Sequence, residues 1–256
     1  MTTGEDNPSG PIKVPGKEAL APPLPKRFYK EVTVEGRDGG YAVLLDGRPV
    51  RTPKKLALAL PTRALAEAIA GEWAAQGTHV DPAAMPLSKL AITALDGVAA
   101  HKRDVAAEIV KFAGSDLLCY RAEAPAALQR LQAEAWDPVL RWIEAELGAR
   151  FVFAEGVMPV EQSRAVLDGV AEVVAPYDAM ALTSLHAMTT LLGSAVLALA
   201  HAKGRISAAD AWAKAHVDED WQISQWGVDV EAAERREKRL REMQAASRFL
   251  ELLRAS

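Results

Sequence analysis

The chain has 256 residues, half of them hydrophobic and a quarter charged, with a net charge of −4. That describes an ordinary folded domain or pair of domains and offers no basic footprint for nucleic acid. A single cysteine, Cys119, excludes an internal disulfide and a cysteine-built zinc cluster, and is read as a buried apolar thiol.

Met1 to Pro25 is rich in Pro, Gly and charge. It has no apolar core of a secretory signal, and it carries Glu5, Asp6 and Glu18 but no arginine, unlike a mitochondrial leader. Residues 1–26 are read as a flexible lead-in. Strands follow. Phe28 to Val34 is β-branched and aromatic, Gly36 to Gly40 signals a turn, and Tyr41 to Leu45 runs into Asp46-Gly47, a two-residue hairpin signal. Pro49 and Pro53 confine Val50 to Thr52 to an edge or a short strand, and Leu56 to Leu60 closes an expected antiparallel meander.

At Pro61-Thr62 the period changes. Thr62 is an N-cap candidate, and Leu65, Ile69 and Trp73 fall on one face of a helix that Gly77 ends. Further helices are expected from Leu87 to Ala100, interrupted at Asp96-Gly97, and from Val105 to Gly114. Leu117 to Tyr120 and Phe151 to Phe153 read as short strands. Between them Ala126 to Leu147 is a long helix that Pro138 should kink or break. The rest reads as helices over Glu161–Val174, Asp178–Lys203, Ser207–Trp226 and Val230–Leu253, with Ser207 and Asp210 resembling a capping box. The apolar stretch Leu182 to Ala202 is long enough to span a membrane. Its histidines, serines and threonines favour a buried central helix instead. The predicted fold class is therefore α+β: an antiparallel β-rich N-terminal portion with a helix, residues 27–120, then a larger all-α domain, residues 121–256.

No phosphate-binding glycine loop, nucleophile elbow or His-Glu-x-x-His motif is present. His186 and His201, about 22 Å apart on one continuous helix, would be too distant to share a metal. The run His216 to Gly227 is the densest cluster of functional side chains, with Asp218, Glu219 and Asp220 beside Trp221 and Trp226. His216, Glu219 and Asp220 have the spacing of a helical metal site, which makes a metal-dependent enzyme the alternative function. The run lacks the second Glu-x-x-His of di-metal carboxylate proteins. Adjacent acids on a helix diverge by about 100°, which argues against a paired-acid catalyst. On a helix Val217 and Trp221 share the core side, whereas Glu219, Gln222 and Trp226 share the outward side. These residues by themselves leave two readings open: a docking face, or a Trp226 packed at a helix end closed by Gly227.

Several pieces together resemble the assembly chaperones of the F-type ATP synthase alpha subunit. They are Arg27-Phe-Tyr-Lys30, Tyr41 to Arg48, Arg51-Thr-Pro53, Leu60-Pro61, Glu72-Trp73 with Gln76, Met85-Pro-Leu87, Thr93 to Asp96, Asp218 to Ile223 and Gln225-Trp-Gly227. The resemblance implies a strand-rich first part, a helical second part, no enzymatic activity and no cofactor or metal. It implies a chaperone that holds the unassembled alpha subunit and prevents its aggregation. It assigns partner binding to Asp218, Glu219 and Asp220, with Glu219 foremost, and importance to Trp73. Gln222 and Trp226 join the partner-binding set through the face they share with Glu219, and Trp221 and Trp73 are expected to be structural. The lack of an Arg-rich leader implies a bacterial cytoplasmic version, with the mitochondrial matrix applying only if a leader precedes this sequence. The absence of a heptad seam implies a monomer. The tail beyond Gly227 reads as a solvated amphipathic helix.

Overall fold

A computed structural model describes residues 23–37, 39–155 and 160–255; the expected flexible lead-in, through residue 22, lies outside the described residues. The first layer is a small antiparallel sheet. β1 (Val32–Arg37) pairs along its length with β2 (Gly40–Leu45). The chain then reverses at Asp46-Gly47, both with positive φ (47° and 75°), the geometry of a two-residue hairpin. The topology departs from the expected meander. β3 (Arg48–Pro49) and β4 (Ala59–Leu60) both pair with β2, one on each half of the same edge. The two prolines limit β3 to two residues, which leaves the rest of that edge open for β4. The strand expected from Phe28 begins only at Val32, because the chain bends at Lys30, where the Asp46 carboxylate accepts the amides of Lys30 (3.0 Å) and Glu31 (2.8 Å).

α1 (Arg63–Ala74) starts as expected, with the Thr62 hydroxyl accepting the Leu65 amide at 3.2 Å. It lays Leu65, Ala66 and Ile69 against the sheet. α2 (Pro86–Asp96) and α3 (Lys102–Gly114) follow, with a single 3-10 turn between them. Leu117 to Cys119 is another 3-10 turn rather than a strand. β5 (Tyr120–Arg121) comes after it and pairs in parallel with β6 (Ala154–Glu155), just beyond the strand expected at Phe151. α4 (Ala126–Leu147) runs unbroken through Pro138. Buried residues on both sides of the proline, Gln132, Trp136, Leu140 and Ile143, hold both halves to one core.

α5 (Arg164–Val174) precedes the centre of the helical half. There the expected single helix over Asp178–Lys203 is two: α6 (Ala179–Leu192) and α7 (Ala195–Ala202). Gly193 takes the left-handed conformation (φ 66°) that ends α6, and Ser194 caps α7 by accepting the Leu197 amide at 3.0 Å. A fully buried carboxylate holds this break. Asp116 accepts the Ser194 hydroxyl (2.7 Å), the Leu118 amide (3.2 Å) and the Val196 amide (3.0 Å). The polar residues of the apolar stretch also find partners: Ser184 donates to the Ala246 carbonyl at 2.6 Å, and His201 meets Ile206 and Ser247. Among the described residues no helix is long and apolar enough to cross a membrane. Cys119 is buried, and burial pushes its thiol up to about 12.

The helix expected over Ser207–Trp226 is also two, α8 (Ala208–Ala215) and α9 (Val217–Trp226), parted at His216. The Ser207/Asp210 capping box is formed. α10 (Val230–Arg254) corrects the reading of a solvated tail. Its first half is largely exposed, but Met243, Ala246, Phe249, Leu250 and Leu252 are buried. Two apolar clusters result, one under the sheet and one among the helices. Phe249 and Leu252 belong to the first and Met243, Ala246 and Leu250 to the second, so α10 packs into both. The Thr62 hydroxyl closes the join by donating to the Leu252 carbonyl at 2.7 Å. The fold is α+β with the larger share helical, as expected.

Asp116 yields a pH-dependent prediction. Burial raises its carboxyl to about 6, against the opposing pull of the groups that donate to it. With the folded value raised, the associated stability is complete below about pH 4 and is lost as pH rises through about 6. Asp116→Ala strands three donors and is expected to cost roughly 2–4 kcal/mol at pH 4. The gap between wild type and variant should narrow toward pH 7, as read by urea unfolding at several pH values.

Candidate functional site

The residues from His216 to Gly227 are held by two side chains of α4 spaced one helical turn apart. Trp136 Nε1 donates to the Lys214 carbonyl at 2.7 Å, where α8 ends. Gln132 Nε2 donates to Asp218 Oδ1 at 2.8 Å, where α9 begins, while Gln132 Oε1 accepts the Ala122 amide at 2.9 Å. Between them His216 is buried. Its ring lies on that of Trp212, centroids 3.9 Å apart, and Nδ1 is 2.7 Å from the Trp212 carbonyl. A carbonyl only accepts, so Nδ1 carries the proton and Nε2 presents a lone pair. Burial lowers the pKa of His216, which keeps the ring neutral at pH 7.

The three consecutive acids therefore have different surroundings. Asp218 is half-buried and committed to Gln132. Asp220 takes Arg236 of α10 at 2.5 Å. Glu219 is 53% exposed at its side chain, with Arg236 Nε at 4.0 Å and His216 Nε2 at 3.9 Å, and it makes no hydrogen bond among the described residues. It lines a groove between α9 and the first half of α10, together with Gln222, Trp226, Ile223 and Arg235. The shared outward face of Glu219, Gln222 and Trp226 is thus present. Trp226 is 79% exposed, so it does not pack at the helix end, and Val228 and Val230 extend the apolar lip beside it. Gly227 turns the chain there with φ 86°.

Asp218, one of the acids expected to bind a partner, is hydrogen-bonded to Gln132 of α4. Trp221 is only half-buried, lying in a second shallow groove beside Leu131 and Lys214, whereas Val217 packs on the helical core. A helix joined to the body mainly through its first turn buries none of its own residues completely, which is the case for α9. The alternative metal arrangement does not form: His216 gives Nδ1 to a carbonyl, Asp220 turns to Arg236, and among the described residues no three His, Cys, Asp or Glu side chains are grouped to hold an ion. His186 and His201 occupy separate helices, α6 and α7.

Trp73 lies partly buried at the end of α1, its ring edge-on to Tyr29 at 5.7 Å and its carbonyl accepting the Tyr29 hydroxyl at 2.8 Å. Its neighbour Glu72 has a role that sequence reasoning missed. The Glu72 carboxylate accepts the amides of Leu87 (2.7 Å) and Ser88 (2.8 Å) and the Ser88 hydroxyl (2.7 Å), so it caps α2 from a distance. Burial raises its pKa. The signal was present: Met85 precedes α2 and cannot cap it, so the exposed amides had to be satisfied from elsewhere.

A half-exposed acid beside an exposed indole is an arrangement found at protein-binding surfaces. Known proteins resemble this chain along most of its length. The family model of the ATP12 chaperone protein matches residues 26–144. The crystal structure of Atp12 from Paracoccus denitrificans is 46% identical, covering 90% of this chain and 99% of that one, with a TM-score of 0.85. The Atu1473 protein of Agrobacterium tumefaciens, a candidate chaperone, is 50% identical over 90% of this chain and 87% of its own, with a TM-score of 0.87. The mitochondrial protein atp12 of Schizosaccharomyces pombe is 23% identical over 245 residues, 89% of this chain and 84% of its own. The chain belongs to the ATP12 chaperone family, a family of ATP synthase assembly factors. The family model ends within α4, so α9 lies beyond it and within the part of the chain compared by whole-structure similarity.

Two substitutions separate scaffold from surface. Trp73→Arg removes the aromatic contact to Tyr29 and is expected to cost roughly 2–4 kcal/mol, since partial exposure lets the guanidinium reach water. Asp218→Ala strands Gln132 Nε2 and is expected to cost about 1–3 kcal/mol. Chemical denaturation measures both.

Proposed function

We propose that the protein is a chaperone for the unassembled alpha subunit of the F-type ATP synthase, acting as a monomer in a bacterial cytoplasm and without enzymatic activity. The single observation that supports the surface is the isolation of Glu219. Of three consecutive acids it alone has no hydrogen bond among the described residues, while Gln132 and Arg236 hold the helix beneath it. A subunit awaiting assembly exposes an interface that aggregates. Trp226, Val228 and Val230 provide apolar area to cover part of it, and Glu219 takes an arginine or lysine beside it. Arg236 Nε lies 4.0 Å from the Glu219 carboxylate without hydrogen-bonding it, so the client's cation meets an acid that need give up no existing hydrogen bond. Family membership supports the broader role, assembly of the ATP synthase, and the alpha subunit is the client that the sequence resemblance implies. The strand-rich and helical portions, residues 27–120 and 121–256, would serve as its two parts.

Glu219→Lys is expected to leave unfolding within about 0.5 kcal/mol of wild type, as for an exposed site. It should weaken capture of purified alpha subunit by at least about tenfold, equivalent to about 1.4 kcal/mol. Glu219→Gln should fall between. Interferometry against immobilised alpha subunit, with light scattering of that subunit on dilution from denaturant, reads both. Wild-type capture by the Lys variant would sink the assignment.

A further inference from the structure

Three stretches far apart in sequence, none of them part of the α9 surface, meet at a cleft of about 430 Å³ beside the sheet. They are Phe28-Tyr29 ahead of β1, Leu45 to Arg51 around the hairpin, and Trp73 at the end of α1. One wall is aromatic. Phe28 is 74% exposed and edge-on to Tyr29 at 5.3 Å, and Tyr29 backs onto Trp73. A single exposed ring is ordinary; the polar groups around this one are what set the cleft apart.

Donors predominate among the uncommitted polar groups. Arg48 is exposed and makes neither an ion pair nor a hydrogen bond among the described residues. Arg51 uses one nitrogen on the Lys55 carbonyl at 2.9 Å and keeps the rest of its fork. Trp73 Nε1 is buried and has no partner. The acceptors are fewer and partly engaged. The Asp46 carboxylate, the one acid of the lining, receives the backbone amides of Lys30 and Glu31. The Tyr29 hydroxyl gives its proton to the Trp73 carbonyl. Two guanidinium groups against the single carboxylate of Asp46 leave a net positive charge beside an aromatic wall, which complements a carboxylate next to an apolar side chain.

We propose that this cleft is a second docking site, which takes an acidic, extended segment of the client with a carboxylate on Arg48 and Arg51 and an apolar side chain against Phe28. A small free anion would meet the arginines and leave the aromatic wall bare. The identity of the client rests on the alpha-subunit reading above; the chemistry of the cleft does not. The α9 surface attracts a cation and this cleft an anion, so the two together fix the direction in which a client lies across the protein.

The test uses the full chain and a defined probe, acetyl-Asp-Glu-Leu-Phe-Asp-amide, with its all-Lys counterpart, sodium acetate and inorganic phosphate as comparisons. NMR follows the indole N–H signals, with that of Trp73 assigned through Trp73→Phe. The acidic peptide should shift the Trp73 signal saturably, the Lys peptide should not, and Arg48→Glu and Phe28→Ser should each weaken binding at least tenfold while retaining the wild-type melting profile. No shift, an equal shift with the Lys peptide, or an equal shift with acetate or phosphate (an adventitious ion only) overturns the proposal. In a second arm Arg48→Glu should lower capture of alpha subunit tenfold, with partial recovery in Arg48→Lys. Undiminished capture by Arg48→Glu overturns the client contact and leaves the Glu219 assignment standing. Failure of the wild-type protein to capture alpha subunit overturns the client reading, and the peptide arm then decides the cleft.

Discussion

The two-sided character of α10 is the constraint on which the rest of the structure depends. Its last turns carry Phe249 and Leu252 into the cluster beneath the sheet and Met243, Ala246 and Leu250 into the helical one. Large side chains buried on both sides make the helix a wedge between two cores, each too small to be indifferent to its loss. Its first turns make few such contacts, yet they are anchored because they continue the same helix. Arg239 adds a bond to the Leu191 carbonyl, at the end of α6. Arg236 is thereby delivered to α9 as a fixed cation, and the groove between the two helices has one firm wall.

The other wall depends on a small polar relay. Gln132 and Trp136, four residues apart on α4, reach the two ends of the α8–α9 junction, and neutral His216 fills the space between them. Each bond satisfies a group that would otherwise be buried without a partner, so the junction has one well-defined geometry. That geometry gives three neighbouring acids three different fates. The arrangement suits recognition, because a charge on an anchored backbone with no hydrogen bond of its own has none to break when a partner arrives. The cleft at the sheet is the complementary case, with two guanidinium groups around the hairpin facing a single carboxylate.

Much of the fold was legible in local chemistry. Thr62 and Ser207 announced their helices, Asp46-Gly47 its hairpin, and Leu65, Ile69 and Trp73 the inner side of α1. The split of faces on α9 also followed from helical spacing, which placed Glu219, Gln222 and Trp226 together. The breaks were harder to see. Gly193-Ser194 is a helix end followed by a cap, yet it sits inside an apolar run whose continuity outweighs two small residues in any local reading. What makes the chain break there is Asp116, nearly eighty residues earlier, whose carboxylate needs the amide of Val196 and the hydroxyl of Ser194. Pro138 misled in the opposite direction, since burial on both sides of it held α4 together.

By itself the sequence determined the α+β class, the order of elements, the main caps and the family resemblance, because these follow from periodicity, turn chemistry and motif spacing within short windows. Tertiary structure alone decided which of Asp218, Glu219 and Asp220 is unsatisfied, that half of a charged tail is core, and that Phe28, Arg48, Arg51 and Trp73 share one cleft. The physical reason is the same in each case. Whether a polar group is committed or available depends on partners distant in sequence, such as Gln132, Arg236 and Asp116, and local patterns carry no record of them.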